Sequence, residues 1–116
     1  MHDQSVIFRE TADGVLVAPA RCGLLTVPDL ISHVRAWCAS DATGDLVVDL
    51  SGVDYMEDAA FGALMWTRRY CASVGRRMAI VPPRSGVLQR PQELALQTLA
   101  SVSPTRTGAA EPLATA

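Results

Sequence analysis

The order of apolar and polar residues along the chain predicts short strands alternating with helices. Two short strands, at residues 5–9 and 15–18, flank a turn at residues 11–14, where an Asp-Gly pair supplies the positive φ that tight turns often need. Two later runs, at residues 46–50 and 78–81, are almost entirely apolar. Runs of this kind are typical of strands that are buried on both faces of a parallel sheet.

The first predicted helix begins near residues 26–28, because the opening turn of a helix tolerates the proline found there. Its apolar residues recur at spacings of three and four and form one stripe, made of Leu30, Ile31, Val34, Trp37 and Cys38. A later helix is predicted over residues 92–102, with Pro91 in its opening turn. Residues 103–116 have little to bury, so we predict a disordered tail after a single domain over residues 1–102.

The longest predicted helix runs from about residue 58 to residue 74 and ends at Gly75, since glycine readily adopts the left-handed conformation that terminates helices. Its predicted core stripe is Phe61, Leu64, Met65, Cys71 and Ala72. Arg76 and Arg77 follow, and positive charge suits the C-terminal end of a helix dipole. The strands before and after this helix complete a βαβ unit, which indicates an α/β fold with a parallel pair of strands.

Length, composition and charge narrow the range of possible functions. The 116 residues and their 49% hydrophobic content suit one packed domain. No apolar run approaches the ~20 residues of a membrane-spanning helix, and the start of the chain lacks the features of a secretory signal. We therefore expect a cytoplasmic protein with no membrane partner. The net charge of −2 gives no electrostatic reason to expect a nucleic-acid partner.

Few residues of this chain are suited to catalysis. The three cysteines, Cys22, Cys38 and Cys71, lie far apart in the chain, and we interpret them as reduced structural residues without a metal or redox role. No glycine-rich phosphate loop or Cys/His cluster is present, and neither His2 nor His33 lies near a candidate nucleophile. We therefore expect neither an enzyme nor a bound cofactor or metal.

Residues 46–56 read LVVDLSGVDYM. This block resembles the core of the STAS domain family of anti-sigma factor antagonists, in which a hydrophobic strand ending in Asp-Leu-Ser precedes a helix that opens with Asp-Ser-Ser-Gly. Residues 62–65 resemble the continuation of that helix, and residues 75–81 resemble its exit and the next strand. The similarity covers about residues 5–90. It implies an α/β fold with a mixed, mostly parallel sheet and helices packed largely against one face.

The resemblance also implies a protein partner. In partner switching, a STAS protein binds an anti-sigma factor, a serine kinase of the ATPase-fold type, and so releases the sigma factor. The kinase then phosphorylates a serine at the start of the second helix, and the added charge of roughly −1.5 to −2 dissociates the complex. Aligned without gaps, Glu57, Asp58, Ala59 and Ala60 occupy the positions of the family's Asp-Ser-Ser-Gly. We therefore predict kinase binding without the usual serine switch.

Several residues around this motif are candidates for a site. Asp58 is either a helix N-cap or a permanent negative charge at the switch position, and both interpretations stay open. Glu57 is interpreted as a surface acid, and Asp49 as a hydrogen-bond acceptor for the turn that follows its strand. One side of the second helix forms a predicted partner-binding surface, which consists of Asp58, Gly62, Trp66, Arg69, Tyr70 and Ser73.

The predicted partner-binding surface has the composition of an interface anchor, because tryptophan and tyrosine stand beside arginine. The alternative is that Trp66 packs beneath the C-terminal segment. A different function also stays open, namely a non-switching scaffold or sensory module in a transport or signalling complex. A receiver domain that is phosphorylated on Asp49 or Asp54 is disfavoured, because receivers need a lysine that this chain lacks. Homodimerisation is a further open alternative.

Overall fold

The computed structural model describes residues 7–98. Over this range the strands are β1 Arg9–Glu10, β2 Val15–Val17, β3 Arg21–Cys22, β4 Leu46–Asp49, β5 Tyr55–Met56 and β6 Met78–Val81. The helices are α1 Val27–Cys38, α2 Asp58–Ser73 and α3 Arg90–Thr98, with a 3₁₀ turn at Leu24–Thr26 directly before α1. None of the helices in this range is long and apolar enough to cross a membrane.

The strands form a mixed, mostly parallel sheet, as predicted. Its order is β1-β2-β4-β6, in which β1 and β2 are antiparallel while β2–β4 and β4–β6 are parallel. The hairpin between β1 and β2 turns at Gly14, whose φ of 83° favours glycine. β3 and β5 form a separate parallel pair, in which β3 precedes the 3₁₀ turn and α1 while β5 directly precedes α2. The predicted first strand at residues 5–9 begins, within the described residues, only at Arg9.

The prediction that β4 is buried on both faces is wrong for one face. Leu46 and Val48 are buried in the hydrophobic core, together with Val34 of α1 and Leu64 of α2. The alternate strand positions, beginning with Val47, remain half-exposed. The reason is that successive side chains of a strand point to opposite faces of the sheet, so only every second residue of β4 reaches this core.

The core stripe of α2 differs at its C-terminal end from the predicted one. Phe61, Leu64, Met65 and Cys71 are buried as expected, but Ala72 is exposed. Thr67 is fully buried instead, and its Oγ1 donates a hydrogen bond of 2.8 Å to the carbonyl oxygen of Leu64. Periodicity did not predict this burial because threonine is polar, yet the hydrogen bond removes the cost of burying the hydroxyl.

Arg76 binds the C-terminal end of α1, whereas the sequence predicted that its charge would lie at the end of α2. Its guanidinium donates to the carbonyl oxygens of Trp37, Cys38 and Ser40 at 3.4, 3.2 and 3.3 Å, and also to that of Ala42. It lies 4.0 Å from the centre of the Trp37 ring. The positive charge therefore satisfies carbonyls at and after the C-terminus of α1, although the sequence suggested a role at the end of α2.

The helix predicted over residues 92–102 begins earlier, at Arg90, so Pro91 lies in its first turn as expected. Leu96 packs into the core and attaches α3 to the rest of the domain. The predicted helix end at residue 102 and the predicted tail at residues 103–116 lie outside the described residues. The domain boundary therefore stays a prediction.

Candidate functional site

The predicted motif lies at the N-terminal end of α2, directly after β5. Glu57 has extended backbone angles and occupies the N-cap position, while Asp58 is the first residue of the helix. The interpretation of Asp58 as the N-cap is therefore wrong by one position. Ala59 is exposed, whereas Ala60 is buried in the core. Of the four residues that align with the family's Asp-Ser-Ser-Gly, only the first three therefore face solvent.

Glu57 does not cap α2 with its side chain. Its Oε1 instead accepts a hydrogen bond of 3.1 Å from the backbone N–H of Leu24, in the turn before α1. The backbone N–H of Glu57 donates to the carbonyl oxygen of Cys22 at 2.9 Å. A Cβ at Gly23 would lie 2.7 Å from Glu57 Oε1, so glycine permits this close approach. Glu57 thus ties the start of α2 to the turn before α1.

Asp58 contacts α3. Its Oδ1 accepts a hydrogen bond of 3.0 Å from Nε2 of Gln92, and Gln92 Oε1 in turn accepts one of 3.1 Å from the backbone N–H of Gln89. The carboxylate also lies in the first turn of α2, where negative charge is favoured by the helix dipole. The sequence contained no signal for this pair, because its members are 34 positions apart.

The other acids near the motif have local partners. Asp49 Oδ1 accepts a hydrogen bond of 2.9 Å from the backbone N–H of Ser51, as expected for a residue that supports the following turn. Asp54 forms an ion pair with Arg84 at 3.0 Å. Within residues 7–98, no three His, Cys, Asp or Glu side chains come together in a way that could hold a metal ion.

The solvent side of α2 carries an aromatic pair, in which Trp66 is exposed and Tyr70 is partly buried against the core. Trp66 is 43% exposed, and its ring stacks on that of Tyr70 with a centroid distance of 5.5 Å and an angle of 12° between the planes. The guanidinium of Arg35 lies 5.9 Å from the centre of the Tyr70 ring. Gly62 and Arg69 are also exposed. We call Asp58, Gly62, Trp66, Arg69 and Tyr70 the α2 face; their role in binding stays a prediction.

Exposed apolar residues extend this surface beyond the N-terminus of α2, although the apolar pattern of the sequence did not indicate them. Leu24 and Leu25 are 66% and 77% exposed, and Tyr55 is 44% exposed. Leu24 is joined to Glu57 through its backbone, and the guanidinium of Arg21 lies 4.8 Å from the centre of the Tyr55 ring. The sequence did contain one signal for this exposed patch, because the Leu-Leu pair before α1 lies outside the apolar stripe of that helix.

The STAS domain family model matches residues 22–109, a range that includes the whole motif and the α2 face. This chain belongs to the STAS domain family. The match confirms the resemblance inferred from residues 46–56, 62–65 and 75–81, and the mixed, mostly parallel sheet agrees with it. No curated protein matches the chain. STAS domains in general act through protein–protein interactions. The roles known in the family resemble those of anti-sigma factor antagonists or of sulfate transporters.

Proposed function

We propose that this STAS domain is an anti-sigma factor antagonist that binds a serine kinase of the ATPase-fold type through the α2 face. It acts in the bacterial cytosol by binding, without catalysing a reaction. The observation that supports this proposal most strongly is the exposed Trp66–Tyr70 stack, on the helix side that also carries Asp58. Large aromatic side chains that are half-exposed in the free protein are typical anchors of protein interfaces.

The geometry of the stack favours binding. Because Trp66 already rests on Tyr70, its ring loses little conformational freedom when a partner covers it. Leu24 and Leu25 add apolar area near Glu57, so a partner that contacts Asp58 also meets an apolar patch there. This arrangement of apolar centre and charged surroundings matches the anatomy of a protein–protein interface.

The switch position carries a permanent charge in our proposal. No side chain from Met56 to Ala63 has a hydroxyl group, so a serine kinase finds no acceptor at the start of α2. The Asp58 carboxylate has a charge of about −1, against roughly −1.5 to −2 for phosphoserine. Asp58 therefore resembles the phosphorylated state in part, and it lowers the affinity for the kinase relative to a serine protein.

The test compares the wild-type protein with Asp58→Ser and Asp58→Asn for binding to each ATPase-fold serine kinase encoded in the same genome. If the charge opposes docking, Asp58→Ser binds about tenfold tighter, which is ~1.4 kcal/mol. With ATP, Asp58→Ser gains one phosphate while the wild-type mass stays unchanged. A Gln92→Ala variant is the matched control, because it removes the contact made by Asp58 and keeps the charge.

Two other results would argue against the partial mimic. If both Asp58 variants bind more weakly, the partner carries a basic group that pairs with the carboxylate. If all three proteins bind equally well, the charge at position 58 has no role in recognition.

The absence of a hydroxyl group also supports a second candidate, a STAS scaffold or sensory module that does not switch. Affinity capture with the wild-type chain as bait separates the two functions, provided that a Trp66→Ala bait is run beside it. Capture of an ATPase-fold kinase by the wild-type bait alone supports the antagonist. Capture of a transporter or sensory protein, equally dependent on Trp66, supports the scaffold.

A further inference from the structure

Two of the cysteines meet between α1 and α2, contrary to the expectation from their separation in the chain. Cys38 is the last residue of α1 and Cys71 lies in the last turn of α2, and their Sγ atoms are 3.5 Å apart. Cys71 is fully buried, whereas Cys38 is partly exposed. Cys22 is buried elsewhere, and its Sγ donates to the carbonyl oxygen of Pro19 at 3.4 Å. The fold thus pairs two thiols and leaves the third apart.

We propose that Cys38 and Cys71 are a modification site at which a hydroperoxide introduces a reversible disulfide within the chain. The S–S bond of a disulfide is about 2.05 Å long, so the two sulfur atoms must approach each other by about 1.5 Å. We expect rotation of the partly exposed Cys38 side chain about its Cα–Cβ bond to close this distance. The helices that carry the two residues are already packed together, so bond formation requires no unfolding.

The two thiols differ in reactivity. Burial raises the pKa of the Cys71 thiol well above its usual range, and the neighbouring Cys38 raises it further. The thiolate is the reactive form, so Cys71 is a poor first nucleophile. Cys38 is accessible to solvent and hence to a peroxide. Cys38 therefore reacts first and Cys71 resolves the product.

The reaction proceeds in two steps. The Cys38 thiolate attacks the hydroperoxide, the O–O bond breaks, and the leaving oxygen takes up the proton that Cys38 released, which gives an alcohol or water and a sulfenic acid. The sulfur of Cys71 then attacks Cys38 Sγ, so the S–S bond forms and the S–O bond breaks. The departing hydroxide leaves with the Cys71 proton as water. Two thiols have lost two electrons to the hydroperoxide.

The disulfide would connect the C-terminal ends of α1 and α2 through two cysteines that are 33 positions apart in the chain. Closing a loop of this size restricts the unfolded chain and stabilises the folded domain. Cys71 directly follows Tyr70 of the α2 face. A change in the oxidation state of the pair therefore takes place next to the proposed partner-binding residues. The disulfide proposal itself does not depend on which partner binds.

The test treats the full chain with hydrogen peroxide, denatures it and alkylates the free thiols with iodoacetamide. Intact mass spectrometry should show one alkylated cysteine and the loss of two hydrogens, where the reduced chain shows three alkylated cysteines. Dithiothreitol should reverse the change, and peptide mapping should find Cys38 linked to Cys71. The oxidised monomer should also melt roughly 5 °C or more above the reduced one.

Three variants control the experiment. Cys22→Ala should still form the cross-link, while Cys38→Ser and Cys71→Ser should not. Because Cys71→Ser places a hydroxyl in a fully buried position, Cys38→Ser at the partly exposed position is the decisive variant, with its fold checked by circular dichroism. Three alkylated thiols after peroxide, stable addition of oxygen to sulfur, a cross-link to Cys22, or a cross-link between two chains would each overturn the proposal.

Discussion

Gly62 lies inside α2 on its exposed side, and no contact among residues 7–98 requires a glycine there. A Cβ at this position would meet no atom within 4 Å. Its φ is not among the positive values that favour glycine in this protein. Glycine in a helix interior is nevertheless about 1 kcal/mol less favourable than alanine. A partner whose surface packs closely against the backbone of α2 would explain its presence.

Gly62→Ala should therefore stabilise the free domain and weaken its complex. The added methyl group favours the helix by about 0.5–1 kcal/mol, so the free energy of unfolding should increase by that amount. At ~4–8 °C per kcal/mol for a domain of this size, Tm should rise by several degrees. Affinity for the partner should fall, because the new Cβ keeps the partner surface away from the helix backbone.

Urea titration measures the first effect, and calorimetry with the captured partner measures the second. Ala72→Gly is the matched control on an exposed position of the same helix. It should lose up to ~1 kcal/mol of stability and leave affinity unchanged. A loss of stability in Gly62→Ala would refute the helix-propensity reasoning. Unchanged affinity in that variant would exclude Gly62 from the interface.

Three further predictions concern stability. Arg76→Ala should lower the free energy of unfolding by about 2 kcal/mol, because it removes hydrogen bonds to four carbonyl groups and the contact with a tryptophan ring. Arg77→Ala breaks only a surface ion pair, so urea titration should show a loss of under ~1 kcal/mol. Equal losses in the two variants would contradict the role of Arg76 at the end of α1. Trp66→Ala should lose only ~1–2 kcal/mol, because its ring is half-exposed and stacked on one neighbour, against ~3–5 kcal/mol for the buried Phe61→Ala. Deletion of residues 103–116 should change stability by less than ~0.5 kcal/mol, and a large fall in Tm would show that these residues pack against the domain.

The elements around the motif were predictable because their signals are local. The predicted ranges 46–50, 58–74 and 78–81 differ by at most one residue at each end from β4, α2 and β6. An apolar run identifies a strand, helical spacing identifies the helix, and Gly75 terminates it with a φ of 78°. Each of these signals depends on residues a few positions apart, so the chain order alone carries it.

The contacts of the candidate site were not predictable in the same way. The sequence indicated the start of α2 as the important place, but it offered the N-cap as one of two roles for Asp58 and gave Glu57 no partner. In the fold, Glu57 bonds to Leu24 and Asp58 to Gln92, across 33 and 34 positions of the chain. A carboxylate is compatible with many donors, so the one it bonds to depends on which elements lie beside it.

The sequence by itself determined the family, the order of the three helices and the longer strands, and most of the core stripe of α2. The tertiary structure alone decided that Cys38 meets Cys71 and that Arg76 reaches the end of α1. Apolar periodicity specifies which side of a helix is buried, and it does so whatever the neighbouring helix is. Packing of α1 against α2 then fixes which residues of the two helices touch, and that choice involves the whole core.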